Sequence, residues 1–327
     1  MWEIFKSPDY LWDKLVKENT FTYRQLSNWA EYKKLHNWAN LKLIYLIDNK
    51  IVNYANIFFK KKFNIIFIYI PGGLKTDDNI DELIFFVKKI NKCKFFYIRI
   101  DDNKPISNLD DTNNIFTKNK FKECLFKNNK FNKSLRVELT ENIFEKLKKI
   151  NSKWRYNYKK GLKEKNLIIK TEINPNINDL NRISNEMEKN KEIKQIHSME
   201  EVQNMLKFFQ KELIIKTAYY KNKLVGFRMA FLFENIGWDI YGATSMEGRK
   251  LKAGYLLIWS IIEECYKKKI KIYDLGGLYD FNMRHFKMGI TDKIINYYGE
   301  YEKTNLFYLN HLISLILKIK GTQFLNK

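Results

Sequence analysis

The order in which β-rich runs and amphipathic helices follow one another constrains this chain more than any single motif. From Leu167 the pattern predicts a strand to Ile173 and helices at about 178–190 and 199–212. Strands follow at Leu213–Tyr220, Leu224–Phe233 and Trp238–Thr244, then an apolar helix over Tyr255–Lys268. A buried strand, Ile270–Leu275, runs into Gly276-Gly277, which are expected to stop it, and Asn296–Tyr301 is the last strand. The first 150 residues follow nearly the same order. Helices occupy 8–38, strands Leu41–Ile47, Ile51–Phe59 and Asn64–Ile70, a helix Ile80–Asn91 and a strand Lys94–Asp101. Residues 103–132 read as loops with a short helix, and Ser134–Leu139 as a further strand. No sequence repeat links the halves. The expected fold is α+β, two domains of similar plan with a break near Asn151.

Composition narrows the partners. Hydrophobic residues at 45% and aromatic residues at 16% exclude general disorder. Against 37 acidic side chains stand 59 basic ones, a net charge of +22, which favours polyanions: nucleic acid, pyrophosphate-bearing precursors or an anionic membrane face. Cys93, Cys124 and Cys265 form no CxxC and the four histidines no zinc spacing, so no metal is expected. Widely spaced cysteines suit a reducing compartment. The N-terminal residues carry charges throughout with no apolar h-region, and no run of 18 uncharged apolar residues exists. A cytoplasmic protein is expected.

Two stretches carry candidate chemistry. In Gly276-Gly277…Phe286-Lys287 a cation sits between apolar neighbours beyond a strand's carboxyl end, as though aimed at an anion. In Lys153–Lys165 six cations interleave with Trp154, Tyr156 and Tyr158, a composition suited to phosphate and base contacts; Arg155 and Lys159 are its candidates. His197 and His285 have no partner at catalytic spacing and read as structural.

The element order is similar to that of the acetyltransferase (GNAT) superfold. Those enzymes hold the coenzyme A pyrophosphate on an Arg/Gln-x-x-Gly-x-Gly/Ala loop, whereas in the equivalent Arg249-Lys-Leu-Lys-Ala-Gly254 the glycine spacing is broken. Further motifs line up in order: Gln25-Leu-Ser-Asn-Trp29-Ala-Glu-Tyr-Lys33, Tyr69-Ile-Pro71-Gly-Gly, Ile98-Arg-Ile-Asp101, Lys153–Gly161, Tyr241–Arg249 and Tyr273-Asp-Leu-Gly-Gly277 with Phe286-Lys287. In these the chain resembles the Fem family of aminoacyl-tRNA-dependent transferases, which add amino acids to the peptide of cell-wall precursors.

The resemblance implies two GNAT-like domains, each a mixed, mostly antiparallel sheet flanked by helices. The first would span 1–151, with 303–327 packing back on it, and the second 152–302. It implies aminoacyl-tRNA and a nucleotide- or lipid-linked peptidoglycan precursor as partners, and no cofactor; the residues of 306–320 themselves, an apolar face with lysines, suit docking on the first domain or peripheral contact with a membrane. Lys287 would be the catalytic cation and Asp101 the acid near the acceptor amine. Lys33 would bind precursor phosphate, with Trp29 and Tyr69 beside it. Gly276, Gly277 and Phe286 would open the way for a tRNA 3′ end. Two arginines usual in the family are missing, one in Tyr69–Gly73 and one around 194–198. The alternatives are a coenzyme A-dependent N-acyltransferase on a sugar or peptide amine, and a non-catalytic protein binding RNA or a membrane surface.

Overall fold

The computed structural model describes residues 1–19, 22–76, 78–106, 115–127, 132–191, 198–277, 281–306 and 308–320. The chain forms two compact units: Met1–Asn132 with Asn296–Lys327, and Lys133–Ile295.

The first unit runs β1 (Trp2–Ile4), α1 (Asp9–Asn19), a 3-10 turn (Tyr23–Gln25), α2 (Ser27–Lys34), β2 (Ala39–Ile47), β3 (Lys50–Lys62), β4 (Ile65–Pro71), α3 (Ile80–Asn91) and β5 (Phe95–Pro105). Then come α4 (Ile115–Lys118) and β6 (Lys122–Glu123). The second unit contributes β7 (Lys133–Glu138), α5 (Ile143–Lys149), α6 (Ser152–Leu162), β8 (Leu167–Thr171), α7 (Ile177–Lys191), α8 (Met199–Phe209), β9 (Leu213–Tyr220), β10 (Lys223–Phe233) and β11 (Ile236–Thr244). It continues through α9 (Met246–Lys250), α10 (Ala253–Lys267), β12 (Ile272–Gly277) and α11 (Phe281–Met288). Strand β13 (Ile294–Thr304) and helix α12 (Leu309–Lys320) return to the first unit.

The two units share one topology although their sequences show no repeat. In the first, strands lie in the order β1-β2-β3-β4-β5-β13; in the second, β8-β9-β10-β11-β12-β7. One pair in each is parallel, β4 with β5 and β11 with β12, bridged by an amphipathic helix, α3 or α10; the other ladders are antiparallel. A parallel pair needs such a crossover. The last place in each sheet is filled from a distant part of the chain. For this reason the boundary expected near 151 falls inside the second unit: β7 pairs with β12, Asp274 opposite Arg136, so everything from Lys133 belongs there. The return comes at Asn296 rather than 303, because β13 pairs with β5 from Tyr297 opposite Pro105 onward.

In the first unit, Ile66, Ile68, Ile98 and Ile100 point from the sheet toward Leu83, Ile84 and Val87 of α3. Phe67 and Tyr97 point the other way and meet Ile313 and Leu317 of α12, so this helix does pack on the first unit. Strand β13 is locked by a fully buried ion pair: Arg99 Nε donates to Glu300 at 3.1 Å, and its Nη2 donates to the Phe126 carbonyl at 2.7 Å. In the second unit Leu135, Val137, Ile258, Trp259 and Ile262 form one core and Leu180, Ile183, Phe227 and Met229 another. Among the described residues no helix is long and apolar enough to cross a membrane.

All three cysteines are buried and reduced. Burial pushes the Cys265 thiol up from 9.0 to about 12, with Glu264 adding to the effect. Burial likewise raises the Tyr158 phenol from 10.0 to about 12, together with the charge of Glu263. Both groups ionise more readily in the unfolded chain, so their contribution to stability is intact below about pH 9 and is lost as the pH rises toward 12. A melting temperature that is level at neutral pH and declines above pH 9 is expected. A thiol-reactive dye should label the native protein slowly and all three cysteines on unfolding. Rapid labelling of the native chain would contradict the burial.

Candidate active site

The double glycine lies inside the last part of β12, which ends at Gly277, and kinks it. Between Asp274, opposite Arg136, and Gly277, opposite Ser134, β12 holds one residue more than β7, and Gly276 adopts φ +75°. This is a β-bulge, in which a positive φ suits glycine alone. A Cβ on Gly276 would lie 3.4 Å from the Asp239 carbonyl oxygen and 3.6 Å from Lys287 Nζ. The bulge has a dedicated anchor. Asp274 Oδ1 accepts the Gly276 N–H at 2.9 Å and the Ser134 hydroxyl, and Oδ2 accepts from Arg136 Nε at 3.0 Å. Asp274, Ser134 and Arg136 were not singled out as site residues from sequence. The signal was there, since an acid inside an otherwise apolar strand must find a buried partner.

Lys287 sits against this bulge. Its side chain is buried, and Nζ donates to the Gly277 carbonyl at 3.0 Å. Helix α11 is held in place by Gly289, where a Cβ would come within 2.5 Å of Trp154 Cδ1, and by the Asn151 N–H, which donates to the Gly289 carbonyl at 3.1 Å. Phe286 packs on Tyr255 and Trp154 at centroid distances of 5.0 and 6.3 Å, with the Arg228 guanidinium 5.9 Å above its ring. Arg228 is itself clamped bidentately by Asp239, which also accepts from Tyr273 Oη at 3.2 Å. Gly276, Gly277 and Lys287 meet at the bulge, with Phe286 preceding Lys287 on α11. Leu278–Asp280 lie outside the described residues.

The parallel pair opens at this point. Ladder pairs between β11 and β12 end at Trp238–Asp274, whereas β11 runs on to Thr244 beside β10. In the first unit the equivalent pair stays closed, from Ile65–Phe95 to Pro71–Asp101. Beyond the opening, Arg249–Gly254 is wound into α9 and a left-handed Lys252. The N–H groups of Gly248, Leu251 and Lys252 are spent on Ser245 Oγ and the carbonyls of Glu247 and Arg249.

Arg155 and Lys159 stand apart from the bulge. Arg155 Nη1 donates to the Lys148 carbonyl at the end of α5, and Lys159 is exposed on α6. The cation-rich run is a helix whose Trp154 is core, Tyr158 half-buried and Tyr156 exposed.

The first unit assembles the other candidates. Gln25 lies outside α2, because Leu26 is extended between the 3-10 turn and that helix. Gln25 is a buried clasp instead: its Nε2 donates to the Pro71 carbonyl at 2.7 Å, and its Oε1 accepts the Asn56 N–H at 2.6 Å. Lys33 is fully buried in an aromatic cage, Nζ lying 5.9, 5.7 and 5.6 Å from the ring centres of Trp29, Trp38 and Tyr69. Such faces attract a cation. Burial raises the Tyr69 phenol, the charge of Asp101 adding and that of Arg24 opposing. Asp101 is not solitary: Arg24 Nη1 donates to its Oδ2 at 2.5 Å, and its carbonyl accepts the Gly72 N–H at 2.6 Å. Arg24 and Trp38 went unnoticed in the sequence, since neither lies at a spacing that points to Asp101 or Lys33. Residues 194–197, where a second arginine was sought, lie outside the described residues.

A family model described as an acetyltransferase (GNAT) domain matches residues 180–288, from α7 to α11 of the second unit. Among solved structures, FemX superimposes with a TM-score of 0.75 over 97% of this chain and 100% of its own, at 15% identity. The chain has the tandem GNAT fold of FemX. L-PGS from Bacillus licheniformis follows at TM-score 0.52 and 15% identity, over 84% of this chain and 88% of its own. A tandem GNAT protein from the clavulanic acid biosynthesis pathway gives 0.53 at 7% identity, over 82% and 83%. No curated protein sequence matches the chain. The acetyltransferase match lies wholly in the unit that carries Lys287.

Proposed function

We propose that the protein transfers an amino acid from aminoacyl-tRNA to an amine of a peptidoglycan precursor. The observation that carries the reading is Lys287, buried against the glycine bulge where β11 and β12 part, within a FemX fold. An aminoacyl ester is already activated. The acceptor amine attacks its carbonyl carbon, a C–N bond forms, and the C–O bond to the ribose breaks. The amine's proton leaves for the ribose oxygen. What remains for the protein is alignment of the reactants, worth roughly 7–11 kcal/mol, and stabilisation of the oxyanion. Lys287 supplies the cation for that oxyanion, with the Gly277 carbonyl setting the direction of its Nζ. The openings at Gly276, Gly277 and Phe286 receive the ester, and Arg155 and Lys159 meet the tRNA backbone.

In the first unit Lys33, with Trp29 and Tyr69, receives precursor phosphate. Asp101 orients the amine, and its pairing with Arg24 fits orientation better than proton abstraction. The site of action is the cytoplasm, where charged tRNA is found. Coenzyme A dependence is disfavoured by the broken glycine spacing of Arg249–Gly254.

The deciding assay offers labelled aminoacyl-tRNA or acetyl-coenzyme A with nucleotide- and lipid-linked muropeptides. Label should move from aminoacyl-tRNA and be abolished by prior ribonuclease treatment. Transfer that survives ribonuclease, or that needs coenzyme A, overturns the reading. Lys33→Met should raise the KM for the precursor roughly 10- to 100-fold, the worth of one charge-assisted contact, with kcat little changed. A change confined to kcat would remove Lys33 from precursor binding.

A further inference from the structure

Helix α12 has two apolar faces, and only one of them is covered. Leu309, Ile313 and Leu317 are turned onto Tyr97, Phe67 and Phe126. On the other side Tyr308, Leu312, Leu315 and Ile319 are 63%, 54%, 54% and 65% exposed. Spacings of three and four residues set Leu312, Leu315 and Ile319 in one line along the helix, and Tyr308, at φ +64°, stands just before its first turn. A row of large apolar side chains facing water is unusual for an isolated soluble surface and marks a contact.

The charge around the row states what kind of contact. From Lys303 to Lys327 the sequence contains lysines and one histidine, and no aspartate or glutamate. Beside the first turn of α12 lies a cleft of about 380 Å³ lined by Lys120, Lys122, Lys303, Asn310 and His311. Its one acid, Glu302, is buried and accepts from Tyr97 Oη at 2.6 Å; Lys303 is paired with Asp81 at 2.5 Å. Lys120 and Lys122 are exposed on its rim. The β3–β4 turn lies at the same end of the sheet, because Ile65 pairs with Phe95 and Tyr97 with Thr304. That turn carries Lys61, Lys62 and Phe63, the last 85% exposed and at φ +54°.

We propose that this face of the first unit docks on an anionic lipid bilayer. The apolar row enters the interface, and the lysines around it meet lipid phosphates. At about 1.5 Å per residue the helix is roughly 18 Å long, too short to span a hydrocarbon core of about 30 Å, so it lies in the plane of the surface. Apolar insertion combined with basic residues provides the two signals that stable surface binding needs. The proposal is independent of the reaction catalysed.

The test is co-sedimentation of the full chain with vesicles of phosphatidylcholine alone or mixed with phosphatidylglycerol. The protein should pellet with the mixed vesicles and not with the neutral ones, and high salt should release it. The triple variant Leu312→Gln, Leu315→Gln, Ile319→Gln should bind about tenfold or more weakly with its melting temperature kept, because none of the three side chains supports the core. Lys120→Gln with Lys122→Gln, which leaves the helix untouched, should weaken binding to the mixed vesicles severalfold. A wild-type protein that stays in the supernatant overturns the proposal, as does a triple variant that pellets like wild type. Dimerisation that the triple variant abolishes, without vesicle binding, assigns the row to a second copy instead. Binding that appears only after deletion of 321–327 assigns it to the chain's own terminus.

Discussion

Replacing Lys287 with methionine is expected to lower turnover by about 10²- to 10³-fold, the cost of removing one preorganised donor from an oxyanion site. Methionine matches the aliphatic length of lysine and suits the apolar surroundings of Phe286, so the fold should survive. The Gly277 carbonyl loses one hydrogen bond, worth about 1 kcal/mol. The expected result is a melting temperature close to wild type, a KM for aminoacyl-tRNA within a few-fold, and a kcat reduced by orders of magnitude. Arginine at the same place keeps the charge but not the compact ammonium, and should recover little because the bulge leaves no room for the guanidinium. A methionine variant with normal kcat would show that the oxyanion is held elsewhere and would leave Lys287 a structural donor.

The largest effect on stability is expected at Glu300. The Arg99–Glu300 pair is 1% exposed on both sides, so neither ion can recover hydration if its partner is lost. Glu300→Ala leaves the Arg99 charge buried beside the Phe126 carbonyl without its carboxylate, a cost of roughly 3–5 kcal/mol. For a chain of this size the melting temperature should fall by roughly 4–7 °C, measurable by calorimetry. Restoring an apolar pair, Arg99→Met with Glu300→Leu, should recover most of the loss, since well-packed apolar residues often replace a buried ion pair without penalty. A fall of less than a few degrees for the single variant would mean that water reaches Arg99.

Much of the fold was legible because its signals are local. Helix α3 falls on the Ile80–Asn91 pattern, since four apolar residues recur on one helical face, and β9 falls on Leu213–Tyr220. Element order alone brought the reading to a tandem GNAT plan. The boundary at Asn132 was not legible, because strands β7 and β13 owe their places to partners more than a hundred residues away in the chain. Nothing in Ser-Leu-Arg-Val-Glu says which sheet edge it completes.

The candidate site divides in the same way. Gly276, Gly277, Phe286 and Lys287 are close in sequence, and their grouping followed from composition and spacing. Arg136 and Ser134, which hold Asp274, precede it by 138 and 140 residues, and Arg24 lies 77 residues before Asp101. The bulge was read as the end of a strand because a glycine pair breaks a ladder as readily as it kinks one. By itself, then, the sequence determined the secondary elements, their order, the excess of positive charge and the lysine worth suspecting. Only the tertiary structure decided that Lys287 is buried against a kinked strand, that Lys33 lies inside three aromatic rings, and that α12 keeps a second apolar face uncovered. Periodicity is written into neighbouring residues, whereas burial and pairing are properties of which distant segments meet.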